Sequence, residues 1–137
     1  MDILGSAKML IRGYKYTYKL NTAHDISDDG NQKHMHTFIV EVLISSESYD
    51  KFVTYIDMVR DIDDYFKRYE NKFINDFEPF QQVKPTLENM ANVFYKDLGK
   101  IVDDNNLKVI KLTISETPLN KYTVSDRLVF GDARYMI

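Results

Sequence analysis

The sequence predicts an α+β fold: an antiparallel sheet with two helices on one face, in the order β-β-α-α-β-β. Two observations carry this. Toward both ends of the chain, apolar and polar residues alternate one by one, the period of a strand with one wet face. Between these stretches, apolar residues return every three or four positions, the period of an amphipathic helix. Strands flanking helices suggest a sheet layered against helices on one side. No repeat, low-complexity tract or linker interrupts the 137 residues, so one domain spanning 1–137 is expected.

The first strand is expected over residues 8–20, where Tyr14, Tyr16, Tyr18 and Leu20 alternate with Lys15, Thr17 and Lys19. Residues 21–33 read as a loop, dense in the turn formers Asp25, Ser27, Asp28, Asp29, Gly30 and Asn31. A second strand follows over 34–46, with Phe38, Val40, Val42 and Ile44 on one face. Residues 45–51 are polar and connect to a helix over 56–69. Its stripe is Ile56, Val59, Ile62, Phe66 and Tyr69, and Asp61, Asp63, Asp64, Lys67 and Arg68 form its solvated side. Residues 70–82 show no clean period, and 76–79 are loop-like. Pro85 and Thr86 open the second helix. Thr86 is placed as N-cap, and Glu88 lies in the first turn, where the helix dipole favours an anion. Leu87, Met90, Ala91, Phe94, Leu98 and Ile101 make its buried stripe, and residues 103–106 end it. In the strand over 107–116, Ile110, Leu112, Ile114 and Glu116 share a face, so an apolar face ends in a carboxylate. A last strand is expected over 122–130.

Composition narrows the function. The hydrophobic fraction of 44% is ordinary for a globular protein, and the formal net charge is −3 with no long basic run. Neither nucleic acid nor an anionic membrane is favoured as a partner. The chain holds no cysteine, which excludes disulfides, thiol chemistry and the Cys-rich structural zinc site. No run of 18 apolar residues exists, and residues 1–9 are too short and mixed for a signal peptide, so a cytoplasmic location is expected.

All three histidines fall in one short stretch, His24, His34 and His36. His34 and His36 are two apart at the start of a strand, so their imidazoles project to one side, about 6.5–7 Å apart at Cα. That suits two ligands of one tetrahedral zinc, with His24 as a third. Three nitrogen ligands leave a fourth position open, as catalytic zinc requires. Spacing alone leaves a second reading open, in which clustered histidines on an edge strand bind nothing.

Several motifs then come together in order. They are Thr22-Ala23-His24 after the first strand, His34-Met35-His36 opening the second, Asp57 ahead of the first helix, Asn71-Lys72-Phe73-Ile74-Asn75-Asp76, Lys84-Pro85-Thr86-Leu87-Glu88-Asn89, and Ile114-Ser115-Glu116-Thr117. This ordered set resembles the 6-pyruvoyltetrahydropterin synthase family, including the bacterial 6-carboxytetrahydropterin synthases of queuosine biosynthesis. The likeness spans Tyr14 to Tyr122. It implies a tunnelling fold (T-fold), assembled as a trimer or hexamer, and zinc held by His24, His34 and His36. It also implies a pterin pocket at a subunit boundary, with Glu116 gripping the ring. Pattern alone would leave Glu116 at the sheet rim. By the resemblance, Thr86 stands near the pterin as well as capping its helix; Asp57 reads best as a helix-start residue.

The chain departs from the family at the chemistry. The family base is a cysteine, assisted by an Asp-His pair. The cysteine position falls on Gly30 and the pair on Glu70-Asn71; the glutamate that some members use instead falls on Asn31. The glycine between the paired histidines is Met35. Asp28, Asp29 and Glu70 are the carboxylates left as a replacement base, with Glu70 and Asp28 the catalytic candidates. Three readings follow: a zinc-dependent lyase acting on 7,8-dihydroneopterin triphosphate or a related pterin with altered catalytic residues, suited to an easier step such as retro-aldol cleavage; a non-catalytic zinc- and pterin-binding paralogue; or a scaffold alone.

Overall fold

A computed structural model describes residues 12–46, 52–103 and 107–126. The element order is β1 Gly13–His24, β2 His34–Ser46, α1 Phe52–Lys67, a 3-10 turn Ile74–Asp76, α2 Leu87–Asp103, β3 Leu107–Thr117 and β4 Asn120–Val124. The four strands form one sheet in the order β1-β2-β3-β4, antiparallel throughout. The α+β architecture is the expected one. No helix of the described residues is long and apolar enough to cross a membrane.

One face of the sheet carries the core. Leu20 on β1, Phe38, Val40, Val42 and Ile44 on β2, and Leu112 and Ile114 on β3 are fully buried. Met58, Ile62 and Phe66 of α1 and Met90, Phe94 and Leu98 of α2 belong to the same cluster. Burying side chains of this size stabilises by about 1.5–3 kcal/mol each. Tyr18 stacks on Phe66 at 4.8 Å between ring centroids, which ties the β1 edge to α1. At Gly13 the β2 backbone leaves no room for a side chain, because a Cβ there would run into the Ile44 carbonyl.

Several boundaries differ from the sequence expectation. Residues 8–11 of the expected first strand, and 127–130 of the last, lie outside the described residues. β1 runs on through Asn21 to His24, residues read as loop. The cause is tertiary. Each of these residues pairs across to β2, Asn21 with Thr37 through His24 with His34. On the other side, the segment after α1 docks along them: Asn71 donates its N–H to the Asn21 carbonyl (2.6 Å), and Ala23 donates to Lys72 (2.9 Å). Helix α1 starts earlier than its stripe suggested, and that stripe is shifted. Met58 and Tyr65 are buried where Ile56 is exposed. In α2, Val102 rather than Ile101 completes the buried face. The β2–β3 register steps between Leu43 and Ile44, leaving Ile110 as an extra residue, so that Val109 and Ile110 are both buried.

Candidate metal centre

Strand register brings the histidines together. His24 sits directly opposite His34, and Thr22 opposite His36, at the end of the β1–β2 hairpin. Alternation puts His24 on the face of Leu20, and His34 and His36 on that of Phe38. The apolar face of the sheet therefore runs out into three imidazoles. Their ring centroids are 4.5 Å apart for His24–His34 and His34–His36, and 5.3 Å for His24–His36. One ligand atom from each lies within 4.8 Å of the others.

Backbone carbonyls fix two of the rings. His24 Nδ1 lies 2.9 Å from the Pro85 carbonyl, and His34 Nδ1 lies 2.8 Å from that of Gln32. A carbonyl only accepts, so each Nδ1 carries the proton and, in the neutral ring, each Nε2 is bare. These two nitrogens face each other at 3.0 Å. Such a pair needs a shared proton or a cation between them. For a tetrahedral zinc with Zn–N of about 2.0–2.1 Å, two ligand nitrogens stand about 3.3–3.4 Å apart. The arrangement fits that ion with little movement. Burial pushes the His24 imidazole below the ordinary histidine value; the neighbouring imidazoles act the same way, against the Pro85 carbonyl and Glu116. His24 is thereby held in the neutral, ligating form.

Glu116 completes the rim. The β3–β4 register shifts between Ser115 and Thr117, so Glu116 stands at a bulge, a device that re-aims a side chain. Its Oε2 lies 3.2 Å from His36 Nε2.

Of the remaining sequence candidates, Thr86 is tied to this centre through the Pro85 turn, whereas Glu70 and Asp28 bond elsewhere. Thr86 Oγ1 accepts the Asn89 N–H at 3.1 Å, the N-cap geometry, and the cap fixes the turn that carries the Pro85 carbonyl to His24. Both carboxylate oxygens of Glu70 accept the Asn21 N–H, at 3.1 and 3.2 Å. The Asp28 side chain is 98% exposed and pairs with Lys84, whose ammonium holds its carboxyl below the usual carboxylate range. Gly30 has φ +71°, a left-handed backbone that suits glycine.

Two contributors were not read from the sequence. Asp25 was read only as a turn former, and Asn75 only as part of a family motif with no role of its own. Asn75 Oδ1 accepts the Asp25 N–H at 3.0 Å, and its Nδ2 donates to the Asp25 carbonyl at 2.9 Å. The Pro85 and Gln32 carbonyls carry no side-chain signal at all.

The sequence profile of 6-pyruvoyl tetrahydropterin synthase matches residues 14–127, most of the chain. The chain belongs to that family. Solved structures sharing its fold include the 6-pyruvoyl tetrahydropterin synthase of Caenorhabditis elegans, with 18% identity and a TM-score of 0.72, covering 87% of this chain and 98% of that one. An uncharacterized protein of Wolinella succinogenes matches at 14% identity and TM-score 0.61, over 87% of this chain and 100% of its own. The Plasmodium vivax 6-pyruvoyl tetrahydropterin synthase matches at 17% and 0.55, over 85% and 99%. No curated protein matches the chain significantly in sequence. The fold is thus the α+β tunnelling fold of the pterin synthases.

Proposed function

We propose that this chain is a zinc-dependent pterin lyase of the 6-pyruvoyl/6-carboxytetrahydropterin synthase type with altered catalytic residues. It would act on 7,8-dihydroneopterin triphosphate or a related pterin. The observation that carries this reading is the triad, with the bare Nε2 atoms of His24 and His34 facing each other at 3.0 Å beside His36. These three residues would hold the metal. Bound there, zinc would polarise substrate hydroxyl and carbonyl groups and acidify neighbouring protons. Glu116, on the same rim, can accept two parallel N–H bonds from the pterin 2-amino group and ring nitrogen, a charge-assisted bidentate grip. Thr86 borders this region through Pro85.

The base is the open part of the chemistry. The chain has no cysteine, and its three histidines are all in the triad. Of the two carboxylate candidates, Glu70 holds the Asn21 backbone, whereas Asp28 is exposed in the loop between His24 and His34. Lys84 makes Asp28 a weak base. A weak base suits an easy step such as retro-aldol cleavage: a side-chain hydroxyl gives its proton to the base, a carbonyl forms there as the adjacent C–C bond breaks and that fragment leaves as an aldehyde, and the electron pair is held in the dihydropterin ring until the proton returns to the carbon left on the pterin. In Plasmodium vivax, variants of the 6-pyruvoyl tetrahydropterin synthase with a glutamate replaced by alanine or cysteine are described as catalytic-residue mutants, so a carboxylate serves in that protein.

The reading includes a cytoplasmic homo-oligomer, a trimer or hexamer. Exposed apolar side chains support it: Met35 between the paired histidines, Ile26 just past His24 and Leu119 just past Glu116, which a second copy would cover. The missing thiol and relay histidine favour one alternative, a non-catalytic zinc- and pterin-binding paralogue.

The test is anaerobic incubation of zinc-loaded protein with 7,8-dihydroneopterin triphosphate and chromatographic identification of every pterin formed. A new pterin that a His34→Ala variant does not make is the expected result. Binding with full recovery of substrate would favour the non-catalytic alternative.

A further inference from the structure

We infer that Asp25 and Asn75 form a positioning pair that sets the ligand geometry of the histidine centre. The inference rests on the reading of the triad as a metal site and adds residues that act through its ligands.

Asp25 follows His24 directly and is 5% exposed. Its side chain and its backbone do two different things. The carboxylate accepts at both oxygens. Oδ1 takes the Ser27 N–H at 2.8 Å and the Ser27 hydroxyl at 2.5 Å, and Oδ2 takes the Gln32 N–H at 3.0 Å. The last bond closes the loop between the strands onto itself. It also fixes the Gln32 peptide region, whose carbonyl orients His34 through Nδ1. One carboxylate thus reaches the second ligand through a single backbone unit.

The backbone of Asp25 is held from the other direction. The Asn75 amide bonds both its N–H and its C=O, as a neighbouring strand would. Asn75 sits in the 3-10 turn, and the residues leading to it are already fastened to β1. Lys72 O accepts the Ala23 N–H at 2.9 Å and the Thr22 hydroxyl at 2.7 Å. His24 is therefore bracketed by fixed backbone at Ala23 and at Asp25, while its ring is fixed by Pro85. Asp25 is the buried member and Asn75 and Ser27 are half-buried, so losing a partner leaves a partly desolvated polar group and the bonded arrangement is favoured. Outer-shell groups that orient metal ligands typically change metal affinity by about 10–100-fold when removed.

Near-isosteric variants test the pair. In Asn75→Asp, an oxygen replaces the amide nitrogen that faces the Asp25 carbonyl. In Asp25→Asn, one of the two accepting oxygens becomes a donor. Zinc affinity is measured by competition with a chromophoric chelator at 25 °C, alongside the visible spectrum of the cobalt(II) form, which reports ligand geometry. Tyr65→Phe is the control: it removes a buried hydrogen bond to Asp97 in the helical layer, so it destabilises without touching the hairpin end. Both pair variants are expected to bind zinc about 10–100-fold more weakly and to alter the cobalt bands, while Tyr65→Phe keeps wild-type affinity. Wild-type zinc affinity and cobalt spectrum in both pair variants, with only a lowered melting temperature, would overturn the inference. Failure of the wild-type protein itself to take up either metal would instead overturn the reading of the triad on which it rests. If one pair variant does not fold, the other decides.

Discussion

Glu116 and His24 show how one short region combines two kinds of chemistry. Glu116 is a carboxylate at a bulge, within reach of His36 but outside the triad. Removing it as Glu116→Ala should weaken pterin binding about a hundredfold, since two charge-assisted bonds are together worth roughly 3 kcal/mol, and leave zinc stoichiometry intact. Titration of each ligand into the variant checks this; unchanged pterin affinity would remove Glu116 from the pocket. His24 governs acid sensitivity. Its folded-state proton affinity is lowered, chiefly by burial, so its contribution to stability is complete above the ordinary histidine value of about 6.5 and is lost as pH falls from there through the lowered folded-state value. Melting temperatures of metal-free protein should therefore drop between pH 7 and pH 5, and less so in His24→Gln. Asp25, whose carboxyl is held down by Ser27 and Gln32, acts in a separate window, below about pH 4. The three histidines were legible because side-chain identity and spacing are written in the sequence. Their orienting partners, the carbonyls of Pro85 and Gln32, were not, because every residue carries one.

At the level of elements, legibility followed the source of stability. β2 was readable to its ends because its own alternation of buried and exposed residues decides it. The last turn of β1 was not: Asn21 to His24 look like loop, and they are strand because β2 pairs on one side and residues 71–73 on the other. The bulges at Ile110 and Glu116 were equally hidden, since a bulge is a property of the pairing. Helix α2 was legible from its cap. Thr86→Ala should cost about 1 kcal/mol of stability and, by loosening the turn at Pro85, also weaken zinc binding; Thr86→Ser should restore both. Thermal melts and chelator competition on the two variants separate this from a purely local loss, in which stability would change alone.

At the scale of the whole molecule, the described residues form a sheet with helices packed on one face. Helices bury the even-numbered side of β2, and Phe94 sits at the centre of that layer, 5.3 Å from Phe66 and 5.8 Å from Tyr69 between ring centroids. Phe94→Ala should cost about 3–5 kcal/mol, read by denaturant titration, with the midpoint moving and little change in slope. Among the described residues the sheet ends in β1 and the short β4, and exposed edges invite pairing with further strands. A trimer or a multiple of it is expected by light scattering; a monomer at micromolar concentration would count against the oligomeric part of the proposal. Fold class was visible in the sequence because periodicity reports it directly. The proposed assembly rests on the resemblance and not on periodicity, since edges and rims exist only once the sheet does.

The register of the hairpin has a consequence for how the site comes into being. His24 and His34 lie ten residues apart in the chain and face each other across one short loop, so closing it costs less chain entropy than a distant contact would. The Pro85 carbonyl that orients His24 arrives sixty-one residues later. During synthesis the three imidazoles can therefore meet as soon as the first hairpin pairs, while their final orientation waits for the second helix to be made and docked. On the proposed metal reading, capture of an ion and completion of its cage would be separate events in time, in an order set by the chain.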